Sequence, residues 1–317
     1  MVDYGGFSGK YLRVDLTQRN LSDEIFDENK VRKYMGGTGM GVRILYDETT
    51  PEVDWSDPEN RVTIASGPLG GTAIGGSGTF SLVTKGALTG GCTSVQANGL
   101  FGAYLRLQGY TGIIIQGAAD RWVYLHIDDD QAELRDSSHL LRRDTYETAT
   151  KIKEELGKKR REMSVVSIGP AGENLARFAG VFCDWGHSAS HNGPGAVMGS
   201  KRLKAIAVAR GKGKVPIKNS EELRKIAGAL YENVKHFTGT VGGVYRSHQG
   251  GRGTLPIKNY LTNIWDIPEN AVNEFSEEYI REHLGSEPNP CWACRLKHST
   301  LMNIPSGPYK GMLVEEP

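Results

Sequence analysis

Glycine is unusually frequent in this chain, and the positions of the glycines limit what the chain can fold into. The 41 glycines among 317 residues make up about 13% of the chain, roughly twice the usual fraction. They stand singly or in pairs between segments that resemble β-strands, and they do not form a low-complexity tract. Glycine is required where the backbone takes a positive φ or presses against a ligand. The pattern therefore predicts either tight turns between many short strands or loops that hold a flat ligand, and both interpretations stay open.

Short apolar or alternating segments predict that the first two thirds of the chain are rich in β-strands. The strand candidates are Tyr11–Leu16, Val62–Ala65, Phe80–Val83, Ile113–Ile115, Trp122–Ile127, Val165–Ile168 and Ile206–Val208. Helices are expected between them near residues 30–47, 98–109 and 144–156. The last of these begins with Asp144 followed by Glu147, which is the spacing of a capping box.

The character of the sequence changes near residue 211, at Gly211-Lys-Gly-Lys. Ser220 is expected to cap a helix with one apolar face, and Ser276 a second helix that ends at Gly285. The apolar face carries Leu223, Ile226, Leu230 and Val234. We therefore expect an α+β chain with two domains. Residues 1–210 form a β-rich domain of two pseudo-duplicated sheets with helices, and residues 211–317 begin a mostly helical domain.

A weak internal repeat supports the two sheets of the first domain. One strand ends in Gly67-Pro68 and another in Gly169-Pro170. Gly102-Ala103 and Gly195-Ala196 each open a segment that leads into another strand. The two copies of this pattern lie about 100 residues apart, as a repeated unit would. We interpret the pattern as a duplication in which each copy offers a glycine-rich loop to one half of a pseudo-symmetric ligand.

Two glycine-rich loops are the candidate cofactor site. Neither carries the lysine of a P-loop or the helix-opening context of a dinucleotide fingerprint, but backbone N–H groups in such loops can bind phosphate. Tight hairpins remain the alternative. The candidate residues are Gly76, Ser77, Gly78, Thr79, Asn98 and Gly99 around the first loop, and His187, Ser188, Ala189, His191, Asn192 and Gly193 in the second.

The cysteines provide the sharpest local signal. Cys291 and Cys294 form a C-x2-C pair, and His298 follows one helical turn later, so the three side chains can share one metal centre. Zinc, a [4Fe–4S] cluster and a free dithiol all fit this spacing. Cys92 and Cys183 stand alone, and we interpret both as structural thiols.

Charge and hydropathy exclude several classes of function. The formal net charge is +1, which supports neither nucleic-acid nor membrane-surface binding. No apolar run reaches the length of a transmembrane helix, which is about 20 residues. Because the N-terminus also lacks the regions of a signal peptide, we expect a cytoplasmic protein.

Several motifs, taken in order along the chain, resemble those of the aldehyde:ferredoxin oxidoreductase family. They are Gly76–Lys85, Leu88–Gly90, Gly109–Ile115, Ile168–Asn174, Gly195–Lys201, Leu203–Ala207 and Leu255–Asn259. The resemblance implies a β domain of two related sheets that carries a tungsten bis-pterin cofactor, followed by mostly helical domains. It also implies a magnesium ion that bridges the pterin phosphates and is bound by backbone carbonyls. The matching positions are Asn98 and Ser188.

This sequence departs from the family at three places. Thr79, His187 and His191 stand where the family often has arginines, so the phosphates are held differently or the subfamily differs. The family cluster motif is C-x2-C-x3-C, and His298 replaces its last cysteine. Either His298 is a ligand, which usually raises a cluster's reduction potential, or the cluster is changed or lost.

The resemblance implies a tungsten-dependent oxidoreductase that converts an aldehyde to a carboxylate. Electrons would pass through the [4Fe–4S] cluster to ferredoxin or an iron–sulfur electron-transfer subunit, in a homo- or hetero-oligomer. One alternative is the tungsten subunit of a class II benzoyl-CoA reductase. In that case His248 would enter the active site, and otherwise His248 is an ordinary polar loop residue. Another is a non-catalytic metal-binding or electron-transfer fragment. Because such enzymes are nearly twice this length, we expect a fragment or one piece of a split enzyme, with the acid–base residues elsewhere.

Overall fold

The computed structural model describes residues 5–129, 131–235, 277–284, 286–297 and 299–316, with Lys258, Leu261, Thr262, Pro268 and Glu274. The chain forms two compact units, Met1–Ser220 and Glu221–Pro317. Residues 211–219 belong to the first unit, although the sequence placed a domain boundary near residue 211. The backbone at Gly211 approaches Leu107 so closely that a Cβ there would lie 2.5 Å from the Leu107 carbonyl oxygen.

The first sheet of the first unit has six strands in the order β2-β1-β6-β3-β4-β5. Its strands are β1 (Lys10–Asp15), β2 (Asn20–Ile25), β3 (Val62–Ala65), β4 (Phe80–Lys85), β5 (Cys92–Ala97) and β6 (Gly112–Gln116). Only β1 and β6 pair in parallel, and the other neighbours are antiparallel.

The second sheet also has six strands, in the order β11-β10-β9-β12-β7-β8. Its strands are β7 (Val123–Asp128), β8 (Gln131–Asp136), β9 (Met163–Ser167), β10 (Val181–Cys183), β11 (His187–Ala189) and β12 (Leu203–Ala209). Here β7 and β12 are the parallel pair, and the remaining pairs are antiparallel.

The two sheets have the same topology, which confirms the predicted duplication. Read from the other edge, the second sheet runs β8-β7-β12-β9-β10-β11, so each strand of the first sheet has a counterpart six strands later with the same pairing sense. Gly102 and Gly195 occupy equivalent positions and make equivalent backbone hydrogen bonds. The Gly102 amide donates to the Gly78 carbonyl at 2.9 Å and the Gly195 amide to the Ala179 carbonyl at 2.8 Å. We call residues 5–117 the first repeat and residues 118–209 the second.

Helices lie between the strands of both repeats, and the second and third helices of the first repeat correspond to the first and third helices of the second. They are α1 (Glu28–Tyr34), α2 (Gly37–Glu48) and α3 (Phe101–Leu107) in the first repeat, and α4 (Thr145–Glu155), α5 (Pro170–Glu173) and α6 (Pro194–Ser200) in the second. The predicted single helix over residues 30–47 is two helices, because Met35 and Gly36 both take positive φ values, 66° and 139°. Such values end an α-helix.

Each repeat has its own apolar core between one sheet and one long helix. In the first, Met40 and Ile44 of α2 pack with Tyr11, Ala65 and Ile114. In the second, Ala149 and Ile152 of α4 pack with Tyr124, Val165, Ala205 and Ala207 among others. Tyr11 and Tyr124 occupy equivalent strand positions, because Tyr11 pairs with Gly112 and Tyr124 with Ala205.

The second unit combines helices with a small sheet that the sequence did not predict. It contains α7 (Ser220–Val234) apart from its first residue, α8 (Glu277–Leu284) and a three-stranded antiparallel sheet of β13 (Ser286–Pro288), β14 (Thr300–Asn303) and β15 (Leu313–Glu316). The helix caps predicted at Ser276 and Gly285, together with His248 and His298, lie outside the described residues. Within the part of the chain that is described, no helix is long and apolar enough to cross a membrane.

Candidate functional site

The first repeat contains an open cleft between the carboxyl end of β3 and the start of α2. Its volume is about 590 Å³, within the range of small-molecule sites. The walls come from residues 34–39 around the start of α2, residues 65–70 after β3, and residues 74–81 of the first predicted loop, with Gln96 from β5. Seven of the twenty lining residues are glycines, so the wall is backbone at these places: Gly36, Gly37, Gly39, Gly67, Gly70, Gly75 and Gly76.

The start of α2 differs from that of its counterpart α4. Asp144 caps α4, and its carboxylate accepts a hydrogen bond from the Glu147 amide at 2.8 Å, as the capping box predicted. The corresponding residue before α2 is Gly36, which has no side chain to cap the helix. The first turn of α2 is consequently backbone without a side-chain cap at the cleft, where the N–H groups of a helix start favour hydrogen-bond acceptors.

A row of uncharged polar side chains crosses the cleft wall. The hydroxyl of Thr38 lies 3.1 Å from the hydroxyl of Ser81 and 2.7 Å from that of Ser94. Gln96 donates to the same Thr38 oxygen at 3.5 Å. These side chains alternate donor and acceptor groups along one surface, which suits a flat ligand with several hydrogen-bonding edges.

The cleft contains no charged side chain among the described residues that line it. Arg106 lies behind the turn at Gly70, where its guanidinium donates to Ser8, Thr111 and the Gly6 carbonyl at 2.7–2.8 Å. Burial lowers the pKa of Arg106 to about 10. This cation therefore holds the N-terminal segment in place, and the cleft itself suits a neutral polar group better than a phosphate.

The predicted loop residues fall into two groups. Gly76, Ser77 and Thr79 line the cleft. Gly78 is buried beside them and accepts the Gly102 amide. Thr79 connects this group to the next predicted position, because its hydroxyl donates to the Asn98 side-chain oxygen at 2.7 Å. Asn98 itself is exposed, whereas Gly99 is buried.

The second predicted loop contacts the first repeat but does not line the cleft. Ala189 and Gly193 are buried, His187 and Asn192 are partly buried, and Ser188 and His191 are exposed. The Asn192 side chain accepts the Thr89 amide at 2.9 Å, and the His191 carbonyl accepts the Thr93 hydroxyl at 3.4 Å. Asn192 thus fastens the two repeats together, which is a structural role that the sequence did not indicate.

The space in the second repeat that corresponds to the cleft contains a buried ion pair. Lys204 and Thr111 are equivalent, because their carbonyls accept the Ile168 and Ser66 amides at 3.1 and 2.8 Å. The Lys204 amine donates to the carbonyls of Arg143 and Ile168 and to the carboxylate of Glu173. Arg143 and Ile168 correspond to Met35 and Ser66, which line the cleft in the first repeat. The duplication has therefore kept the fold while making the two halves chemically different.

The cysteine motif lies on a turn of the second unit. The Cys294 amide donates to the Cys291 carbonyl at 3.2 Å, so the two residues face the same short turn after β13. Cys291 is buried and Cys294 is partly buried, and neither forms a disulfide. The Arg295 guanidinium lies 4.0 Å from the centre of the Tyr231 ring, which anchors the turn to α7. The described residues alone contain no group of three or more histidine, cysteine or acidic side chains able to bind a metal.

Two segments of the site were missed from the sequence. One is Gly36–Gly39, whose four residues Gly-Gly-Thr-Gly gave a signal, since such a cluster at a helix start leaves the first turn open to a ligand. The other is Asp184, which hydrogen-bonds the Leu100 amide at 2.6 Å. A single aspartate before the second loop gave no signal that it reaches the first.

Comparisons with known proteins agree with this architecture. The family model for the aldehyde ferredoxin oxidoreductase N-terminal domain matches residues 11–210. The tungsten-containing aldehyde ferredoxin oxidoreductase of Pyrococcus furiosus is 34% identical, and the match covers 96% of this chain and 50% of that protein. From the same organism, the WOR-like subunit of an aliphatic sulfonate oxidoreductase is 31% identical over 98% of this chain and 52% of its own length.

A solved structure shares the fold. The active site complex BamBC of benzoyl-coenzyme A reductase, with 1,5-dienoyl-CoA bound, superimposes with a TM-score of 0.84 at 28% identity, covering 97% of this chain and 49% of that one. Fold and sequence thus define the chain as a member of a family of oxidoreductases. It belongs to the aldehyde ferredoxin oxidoreductase family. The chain spans about half the length of the curated relatives it matches.

Proposed function

We propose that this chain is the cofactor-binding part of a tungsten–pterin oxidoreductase. The enzyme oxidises an aldehyde to a carboxylate and passes electrons through a [4Fe–4S] cluster to ferredoxin or to an iron–sulfur subunit. The observation that carries the proposal is the uncharged, glycine-lined cleft, which lies inside the domain that the family model matches. When bound, the tungsten–pterin group supplies the two-electron chemistry, and the protein binds and orients it.

The described residues fit the ring system of a pterin. A pterin is flat and has several donor and acceptor edges, and the cleft offers both backbone groups and the hydroxyls of Thr38 and Ser81. Exposed apolar side chains at the mouth, including Met35 and Leu69, would help exclude water from a bound ligand. The residues proposed to hold the ring are therefore Gly76, Ser77, Gly78 and Thr79 with the start of α2.

The phosphates of the cofactor require a different surface. We assign them to the region around Asn98 and Gly99 and to His187, Ser188, Ala189, His191, Asn192 and Gly193, outside the uncharged cleft. Backbone N–H groups can bind phosphate there without an arginine, and the imidazole rings of His187 and His191 add N–H donors. The carbonyls of Asn98 and Ser188 are the proposed magnesium ligands.

Electron transfer out of the site is assigned to the second unit. Cys291 and Cys294 share one turn, as two thiolate ligands of one cluster must. His298 is the proposed third ligand, and the fourth ligand is not among these residues. This assignment makes the second unit the side from which ferredoxin or an electron-transfer subunit would take electrons.

Metal and pterin analysis of the purified native enzyme tests the proposal. We expect tungsten, pterin and roughly four irons per chain, the content of a [4Fe–4S] cluster. Ser81→Phe places a ring in the cleft, as Phe182 stands at the equivalent position of the second repeat, and we expect it to abolish pterin retention. Gly228→Ala, in α7, is the matched control and should retain the cofactor. A single zinc without pterin would instead identify a metal-binding or electron-transfer module.

A second candidate is reduction of an aromatic ring by a class II benzoyl-CoA reductase. The observation that favours it is the structural match to BamBC over 97% of this chain. The purified enzyme separates the two candidates. Reduction of ferredoxin with a panel of aldehydes supports the first, whereas reduction of a dye by a cyclic dienoyl-CoA, without turnover of aldehydes, supports the second.

A further inference from the structure

Asp184 connects the two repeats at the point where their loops meet. It lies in the second repeat, between β10 and β11, yet one of its carboxylate oxygens accepts the amide of Leu100 in the first repeat at 2.6 Å. The other oxygen accepts the hydroxyl of Ser164 on β9 at 2.7 Å. One carboxylate therefore joins the core of the second sheet to the first predicted loop.

The backbone around this contact is constrained on both sides. Asp184 and Trp185 take φ values of 48° and 75°, in the left-handed region that residues other than glycine rarely adopt. Opposite them, Gly99 has a φ of 98°, and a Cβ there would lie 2.7 Å from the Asp184 carboxylate. Two adjacent strained residues persist only where the surroundings hold them, and here Leu100 and Ser164 do so.

The contact extends to the cleft through a short series of residues. Gly99, against which Asp184 presses, directly follows Asn98, whose side-chain oxygen is held by Thr79 in the cleft wall. On the other side, a Cβ at Gly99 would lie 2.9 Å from the imidazole ring of His187. Gly99 therefore lies between the Asp184 carboxylate and the His187 ring, and it is the residue next to Asn98.

The Asp184 carboxylate also supports the start of helix α3. Helix α3 begins after Leu100 and has no side-chain cap of its own, so Asp184 also acts as a cap supplied by the other repeat. A cap stabilises a helix wherever the helix lies, whereas a positioning role concerns only a ligand that touches both loops.

We propose that Asp184 is a positioning residue of the cofactor site, holding Asn98 and His187 at the separation that a ligand bound by both loops requires. This inference rests on the proposed function, because it needs one ligand that spans the two repeats. Asp184 has no contact with that ligand in the proposal, so its role is exerted through Gly99 and Leu100.

The test compares variants of the full native enzyme that lose similar contacts in different places. Asp184→Ala removes the link between the repeats. Asp184→Asn keeps the shape and one acceptor oxygen for the Leu100 amide, while its NH2 group can donate to the Ser164 hydroxyl in place of accepting from it. Ser164→Ala removes the second partner but leaves the Leu100 contact. Asp144→Ala is the matched control, because it removes an equivalent carboxylate cap at α4 away from both loops. Tungsten and pterin retained per chain, the melting temperature and amide hydrogen exchange at Leu100 are measured for each.

We expect Asp184→Ala to retain at least about tenfold less cofactor than Asp144→Ala, the effect typical of losing a residue that orients ligand-binding groups. The two variants should have similar melting temperatures. Exchange at Leu100 should accelerate only in Asp184→Ala, and Asp184→Asn should recover most of the retention. Equal retention in Asp184→Ala and Asp144→Ala would overturn the positioning role alone. A wild-type enzyme without pterin would overturn the proposed function, and the positioning role with it.

Discussion

The amine of Lys204 lies 2.5 Å from a carboxylate oxygen of Glu173, and the Lys204 side chain is completely buried. Two backbone carbonyls, those of Ile168 and Arg143, complete the environment of the amine at 2.7 and 3.0 Å. The pair occupies the place in the second repeat that corresponds to one wall of the cleft in the first. The two copies of the duplicated fold therefore differ chemically at this place, because the second carries an internal salt bridge where the first has an uncharged cleft wall.

Breaking this pair should destabilise the second repeat strongly. Lys204→Met leaves the Glu173 carboxylate buried without its cation, and we expect a loss of about 3–5 kcal/mol in the free energy of unfolding. Glu173→Gln should act in the same direction. The double replacement should cost clearly less than the sum, because no charge is left unpaired. Urea unfolding of the four proteins measures the coupling, and additive losses would contradict the prediction.

The equivalent glycines of the two repeats should be equally intolerant of a side chain. A Cβ on Gly102 would lie 2.4 Å from the Thr79 carbonyl oxygen, and one on Gly195 would lie 2.4 Å from that of Gly180. We expect Gly102→Ala and Gly195→Ala each to cost about 1–3 kcal/mol through overpacking. Gly228→Ala in α7 meets nothing within 4 Å and should instead stabilise by about 0.5–1 kcal/mol. Thermal unfolding measures all three, and a loss in only one repeat would mean that the two contacts are not equivalent.

Lys201 should make stability depend on pH above neutrality. Its buried amine contacts the carbonyls of Gly117, Pro58 and Asp57 at 3.0–3.4 Å, and burial lowers its pKa from the ordinary 10.5 to about 7. Below pH 7 both states are protonated and the folded protein carries the full cost of a buried charge. Between pH 7 and 10.5 the unfolded chain binds the proton more tightly, so stability rises with pH, by up to about 1.4 kcal/mol per unit.

Comparing Lys201→Met with the wild type isolates this contribution. We expect the stability of Lys201→Met to lack that rise between pH 7 and 10, while the exposed-site control Lys214→Met keeps it. Groups that titrate in all three proteins cancel in the difference. The prediction is wrong if Lys201→Met and the wild type gain the same stability across this interval in urea titrations.

The cysteine turn should be required for iron but not for the pterin domain. Cys291→Ser or Cys294→Ser removes one thiolate from the proposed cluster, and we expect iron per chain to fall by more than roughly half, since [4Fe–4S] clusters need four ligands. Cys92→Ser changes an exposed thiol on β5 and should leave iron unchanged. Iron assays and the visible absorption of the cluster provide the readout. Full iron content in both motif variants would place the cluster elsewhere.

Much of the first unit could be predicted from local pattern. The segments Val62–Ala65 and Ile113–Ile115 are mostly apolar, which predicts buried strands. The structure has β3 and β6 at these places, and their residues are almost all buried. Asp144 caps α4 as its spacing indicated. The short strands β10 and β11, of three residues each, were missed, because so few residues carry no periodicity.

The sequence could predict the part of the candidate site that one continuous stretch of chain forms. Gly76, Ser77 and Thr79 of the predicted loop line the cleft, since glycines next to a strand end leave the backbone accessible. The placement of the second loop was not predictable, because Asn192 and Asp184 act on residues about 100 positions away, by contacts such as that with Thr89 and Leu100. No local rule of propensity or spacing reports such a contact.

The sequence by itself determined the α+β class, the duplication and the glycine turns, because these follow from hydrophobic period and from the φ angles that only glycine tolerates easily. Only the tertiary structure decided that the first copy has an open cleft and the second a buried ion pair at the corresponding place. The ion pair forms because Lys204 and Glu173, which are distant in sequence, meet between a strand end and a helix start. Long-range packing determines such meetings, and the local pattern of either copy does not.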